Sequence, residues 1–109
     1  MVKQGDIIKI DFNPQTGHEQ AGYRPAIVVS NNAFNKRCSM TLVCPITNTT
    51  TPYPLHVPLY GTVTTGVVMC EQIRSLDLSA RPHHFVESVP AELLEEIIEI
   101  ITAEITPEN

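Results

Sequence analysis

The chain has 109 residues, a mass of 12.1 kDa and a formal net charge of −5, enough for one domain spanning residues 1–109 whose core buries roughly two thirds of the unfolded surface. No run of 18 apolar residues is available to span a bilayer, and Met1-Val2-Lys3-Gln4-Gly5-Asp6 lacks the apolar core of an export signal, so a soluble cytoplasmic protein with no membrane partner is expected. Cys38, Cys44 and Cys70 are odd in number and form no CxxC pair, which argues against a disulfide framework and a zinc site and leaves buried thiols.

The first predicted element is a strand over Asp6 to Phe12, where Ile8, Ile10 and Phe12 alternate with Lys9 and Asp11. A long loop follows. It carries His18, Glu19, Gln20 and Arg24 between Gly17, Gly22 and Pro25, then runs into an apolar strand at 26–30 that anchors its end. Further strands are predicted at 39–47, 54–59 and 66–73, rich in Val, Ile, Thr and Leu and separated by turn-formers at Asn31-Asn32, Asn48 to Pro54 and Gly61. Pro45, Pro54 and Pro58 make those strands edges, or bulged or interrupted there. Short strands with polar turns point to a small, mainly β barrel.

After Pro90 the period changes. Leu93, Leu94, Ile97, Ile98, Ile100, Ile101 and Ile105 span an arc of roughly 160°, with Glu92, Glu95, Glu96 and Glu99 opposite, which predicts an amphipathic C-terminal helix. Pro90 suits its first position and Glu92 the positive end of its dipole. An arc this wide can cover the barrel and also touch a second subunit.

The net charge hides an asymmetry. All seven acids after residue 86 lie in a segment without Lys or Arg, so residues 1–86 hold seven bases against five acids, a formal +2 that can meet phosphate. Gly17 and Gly22 form neither GxxxxGK[ST] nor GxGxxG, which argues against a nucleotide cradle. His18, His56, His83 and His84 have no HExxH or CxxC companion, so neither a metal nor another cofactor is expected.

Metal-free RNA cleavage is within reach of this residue set, because the 2′-hydroxyl is an internal nucleophile and the protein need only move protons and stabilise a phosphorane. Arg24 is the natural stabiliser, since a guanidinium matches two phosphate oxygens at once. The plainer alternative is that Arg24 only pairs with Glu19 or a loop carbonyl. Glu19 and His18 are candidates for proton transfer or for orienting Arg24, against simple solvation in an exposed loop. Thr47, at the end of VCPITN, offers a hydroxyl to a phosphate oxygen. Glu71 interrupts an apolar strand, where it either faces solvent or sits in a cleft with a partner such as Arg74 or Arg24. Gln20, Tyr23, Asn48 and Gln72 are candidate RNA contacts, with Phe34 a second aromatic platform beside Tyr23.

Taken together, GDIIKIDF at 5–12, GHEQAGYRPAIVVS at 17–30, VCPIT at 43–47, GVVMCEQIRSLD at 66–77 and VPAELLEEI at 89–97 resemble the MazF/PemK family of toxin endoribonucleases, most closely its Kid/PemK and ChpB branch. The resemblance implies an SH3-like barrel of the PemK/CcdB type with a C-terminal helix, a homodimer, and ribosome-independent cleavage of single-stranded RNA to 2′,3′-cyclic phosphate and 5′-hydroxyl ends. It implies a catalytic role for Arg24, a phosphate contact for Thr47, site positions for Glu19 and His18, and proton transfer at Glu71. One departure stands out. The branch has an arginine two residues before the acid, where this chain has Met69.

The resemblance also implies an antitoxin whose acidic, disordered C-terminal segment folds along the RNA groove. A CcdB-like gyrase poison without nuclease activity is the alternative on the same barrel, although the sequence TPEN lacks the apolar-aromatic end such proteins use. A catalytically inactive adaptor is a second rival.

Overall fold

A computed structural model describes residues 1–13, 17–18, 22–49 and 53–108. Among these, seven strands form one antiparallel sheet, with a short helix near the middle of the chain and a long one at the end. The strands are β1 (Asp6–Asp11), β2 (Tyr23–Val28), β3 (Thr41–Thr47), β4 (His56–Pro58), β5 (Val67–Met69), β6 (Arg74–Leu76) and β7 (His83–Ser88); the helices are α1 (Asn32–Arg37) and α2 (Ala91–Ile105). The order across the sheet is β4-β5-β3-β2-β1-β7, with β6 also on β3. The fold is mainly β with a C-terminal helix, as the sequence pattern predicts.

β1 is central, between β2 and β7. Its alternation sends Ile8, Ile10 and then Phe12 into one apolar cluster with Ala26, Val28, Val43 and Leu76. Ile7 faces the opposite side, in a second cluster with Ile27, Cys44, Ile46, Val57 and Val68. α2 covers that second side with Leu93, Ile97 and Ile101. Burying such side chains is worth roughly 1.5–3 kcal/mol each, more than helix propensity supplies. Pro90 caps α2 one position before its first helical residue, and Glu92 lies in the first turn.

Two predicted boundaries change. β2 begins at Tyr23, so Arg24 and Pro25 belong to a strand paired with Ile10 and Lys9 of β1 rather than to the preceding loop. The single strand predicted at 66–73 is broken: β5 ends at Met69, Cys70–Gln72 form a helical turn, and β6 follows. The break transfers the chain along β3, since β5 pairs with Ile46 and Thr47 and β6 with Thr41 to Val43. Pro45 lies between those two ladders, where that side of β3 has no paired residue and a missing N–H costs little. Pro58 ends the edge strand β4.

Besides β6, two elements appear where the sequence predicts turns or nothing. α1 has no buried residue and is held by its Asn31 cap, whose side chain accepts from the Phe34 amide at 2.9 Å. β7 adds to the free side of β1. Its Glu87 accepts from the Val63 and Thr64 amides at 3.0 and 2.7 Å and from the Thr64 hydroxyl at 2.6 Å. That anchors the segment entering β5, and the same bonds hold the Glu87 carboxyl below its usual range.

Burial pushes the Cys44 thiol far up and Cys70 up to about 12, with neighbouring negative groups adding to both. Cys38 departs from the expected burial and is exposed. No helix among the described residues is long and apolar enough to cross a membrane.

Candidate functional site

The sheet register gathers part of the predicted site on one face. Ala26 pairs with Pro45, Ile27 with Cys44 and Val28 with Val43, so that register continued by two residues sets Arg24 opposite Thr47. Thr47 in turn pairs with Val67, and Val67 with Pro58. Because side chains alternate along a strand, Arg24, Thr47, Met69 and His56 share this face, while Ile46, Val57 and Val68 face α2. The line therefore runs from a guanidinium through a hydroxyl to an imidazole.

Gly66 makes the approach to Thr47 possible. Its φ is +120°, and a Cβ there would lie 2.4 Å from the Thr47 carbonyl oxygen. Thr47 Oγ1 accepts from the Thr49 amide at 3.4 Å, and Asn48 Oδ1 accepts from the Thr65 hydroxyl at 3.1 Å. Asn48 stays exposed.

Beside this line lies a cleft of about 490 Å³ lined by His18, Tyr53, Glu71 and Gln72. Gln72 Nε2 donates to the His18 carbonyl at 3.3 Å, tying the loop to the turn after β5. Glu71 is on that turn, so strand alternation does not govern it and Met69 and Ile73 do not share its face as a continuous strand would require. It is a partnered acid rather than a solvated one, and its partner among the described residues is His56. Glu71 Oε2 lies 3.1 Å from His56 Nε2, with the two side chains 24% and 11% exposed. Arg74 instead stands over the Phe12 ring, 5.4 Å from its centroid.

A second carboxylate reaches the same region. Glu104 of α2 keeps a buried oxygen without a hydrogen-bond partner, as does Glu71 Oε1. Burial first, and the Glu71 charge second, raise the Glu104 carboxyl above its usual range.

Other candidates fall apart spatially. Tyr23 lies on the opposite face of β2 from Arg24, and its hydroxyl meets His84 Nδ1 at 2.6 Å across β1. Phe34, on α1, follows the far end of β2. Glu19 and Gln20 lie outside the described residues. The sequence reading missed His56, Tyr53 and Glu104. The available signal for His56 was its place next to apolar Val57 on a short strand, which turns the histidine away from the core.

Among the described residues no three His, Cys, Asp or Glu side chains gather closely enough to hold an ion. An arginine, a hydroxyl and an imidazole on a sheet face, with a carboxylate on the adjoining turn, are groups with which phosphodiesters can be cleaved by proton transfer.

The comparisons with known proteins place the chain. The sequence profile described as "PemK-like, MazF-like toxin of type II toxin-antitoxin system" matches residues 3–104, and the chain belongs to this family. It is 42% identical over 103 residues to the endoribonuclease toxin ChpB of Escherichia coli K12, covering 88% of this chain and 87% of that protein. It is 42% identical over 77 residues to the endoribonuclease toxin MazF of the same strain, covering 71% and 69%. Among solved structures, MazF from Deinococcus radiodurans superposes with a TM-score of 0.87 at 33% identity, covering 95% of this chain and 96% of that one. A MazE–MazF complex from that organism gives 0.81 at 33% identity, covering 95% of each. The named relatives are endoribonucleases, and the gyrase-poison alternative gains no support from them.

Proposed function

We propose that the chain, acting as one domain in the cytoplasm, is the toxin of a type II pair and cuts single-stranded RNA without a metal or other cofactor. The observation that carries this reading is the convergence of Arg24 and Thr47 on one sheet face with the Glu71 cleft beside it. The 2′-oxygen attacks phosphorus, the O2′–P bond forms and the P–O5′ bond breaks. Glu71 takes the 2′-hydroxyl proton, and His18, across the cleft, gives one to O5′. Arg24 stabilises the phosphorane with two parallel donors and Thr47 donates to a phosphate oxygen. Gln72 and Asn48 border this path and contact RNA, and Gln20 is a further RNA contact.

The products are a 2′,3′-cyclic phosphate and a 5′-hydroxyl. The protein works as a homodimer, and an antitoxin with an acidic segment occupies the RNA groove, in keeping with the MazE–MazF complex named above. Incubation of the purified protein with RNA in excess EDTA, followed by sequencing of the cut ends, tests the reading. Cutting at short recurrent sequences is expected; gyrase inhibition without cutting would overturn it.

A further inference from the structure

We infer that His56 is a positioning residue for cleavage, standing behind Glu71 and setting through its own charge how strongly that carboxylate takes a proton. The inference rests on the nuclease reading above and deepens it.

Several contacts aim the imidazole. The ladder pairs His56 with Met69, its amide donates to the Tyr53 carbonyl at 3.0 Å, and its ring lies 4.8 Å from the Tyr53 ring at a tilt of 38°. Nε2 then meets Glu71 Oε2 at 3.1 Å. Glu71 lines the cleft together with His18, Tyr53 and Gln72, whereas the imidazole is set further back and is only 11% exposed. Met69, 4% exposed, makes the cross-strand neighbour apolar. A reacting carboxylate in front with a withdrawn imidazole behind is the arrangement that fixes a side chain's orientation, and low exposure makes their coupling stronger than a surface pair's.

The other groups facing this pair are the Glu104 carboxyl from α2, the Cys44 thiol from β3, the Cys70 thiol from the turn after β5, the Tyr53 phenol and His18. Burial holds both thiols protonated in the neutral range, so they carry no charge there. An imidazole changes charge between about pH 5 and 8. A charged imidazole beside the Glu71 carboxylate weakens it as a base, whereas a neutral one presenting an N–H at Nε2 leaves it the stronger base. Glutamine can supply such a donor but cannot take a charge.

Single-turnover cleavage of one RNA by the full chain and its His56→Gln and His56→Ala variants, from pH 5.5 to 8, tests this, with thermal melting to verify folding. His56→Ala should lose about a hundredfold in the cleavage rate constant with substrate affinity within about twofold of the parent. His56→Gln should recover most of that loss at pH 8, and its rate relative to the parent should rise as pH falls. A ratio that does not vary with pH, or parental rates in His56→Ala, overturns the inference. If His56→Ala does not fold, the glutamine ratio alone decides. A parent that cuts no RNA overturns the nuclease reading itself, whereas a cutting parent with a flat ratio overturns only the role of His56.

Discussion

Arg24 is placed by backbone pairing, not by a loop. Its register opposite Ile10 on β1 and toward Thr47 on β3 gives the guanidinium a fixed origin on the sheet, so the phosphate contact proposed for it would need little reorganisation. Arg24→Ala should lower single-turnover cleavage by about 10²–10³-fold. Arg24→Lys keeps the charge but not the planar fork, and should recover little of that loss; a lysine variant as fast as the parent would show that charge alone suffices. Arg24 and Thr47 could be read from sequence because each sits at a boundary between an apolar run and polar residues. His56 could not, because its partner lies 15 residues away through a loop, a strand and the turn at Cys70–Gln72. Charge pairing across such a distance leaves no periodic trace, so the sequence offers only Arg74 and Arg24 as partners for Glu71.

Strands and helices differ in how much of themselves they declare. β1 and α2 were legible because each buries one regular face, with periods of 2 and 3.6 residues. α1 is held by hydrogen bonds of Asn31, Asn32 and Asn35 and buries no residue, and β7, HHFVES, is mostly exposed and exists because β1 offers it an edge. The turn after Met69 was hidden inside an apolar run because Val68, Met69 and Leu76 are buried on either side of it, on two ladders rather than one, and Ile73 packs against the core. Gly66 is the most constrained point of this region. Gly66→Ala forces a methyl against the Thr47 carbonyl at a φ of +120°, which should cost about 1–3 kcal/mol. Thermal denaturation should show this as a melting temperature lower by roughly 4–8 °C for each kcal/mol; an unchanged midpoint would contradict the geometry.

At the scale of the molecule, charge is divided between a body of formal +2 and an acidic C-terminal segment. Glu92, Glu95, Glu96 and Glu99 are exposed on α2, while Leu93, Ile97 and Ile101 face the sheet. Glu104 is the exception, turned inward toward Glu71. Because its carboxyl is raised in the folded state, the native protein holds that proton more tightly than the unfolded chain. The stability it contributes is fully present below about 4.5 and is lost as pH rises through the folded-state value. Glu104→Gln should therefore raise the melting temperature at pH 7 and lose that advantage near pH 4; a constant difference across this range would contradict the assignment.

α2 and its apolar partners cover one face of the sheet; the other holds the Ile8, Ile10 and Phe12 cluster and, beyond it, the Arg24 and Thr47 proposed for phosphodiester chemistry beside the Glu71 cleft. The most direct test is cleavage of single-stranded RNA in excess EDTA by the parent chain and Arg24→Ala, with the product ends identified. The account predicts 2′,3′-cyclic phosphate and 5′-hydroxyl ends from the parent and a loss of about 10²–10³-fold in the variant. Cleavage that requires a divalent ion, leaves 5′-phosphate ends or proceeds at the parental rate in Arg24→Ala would contradict it.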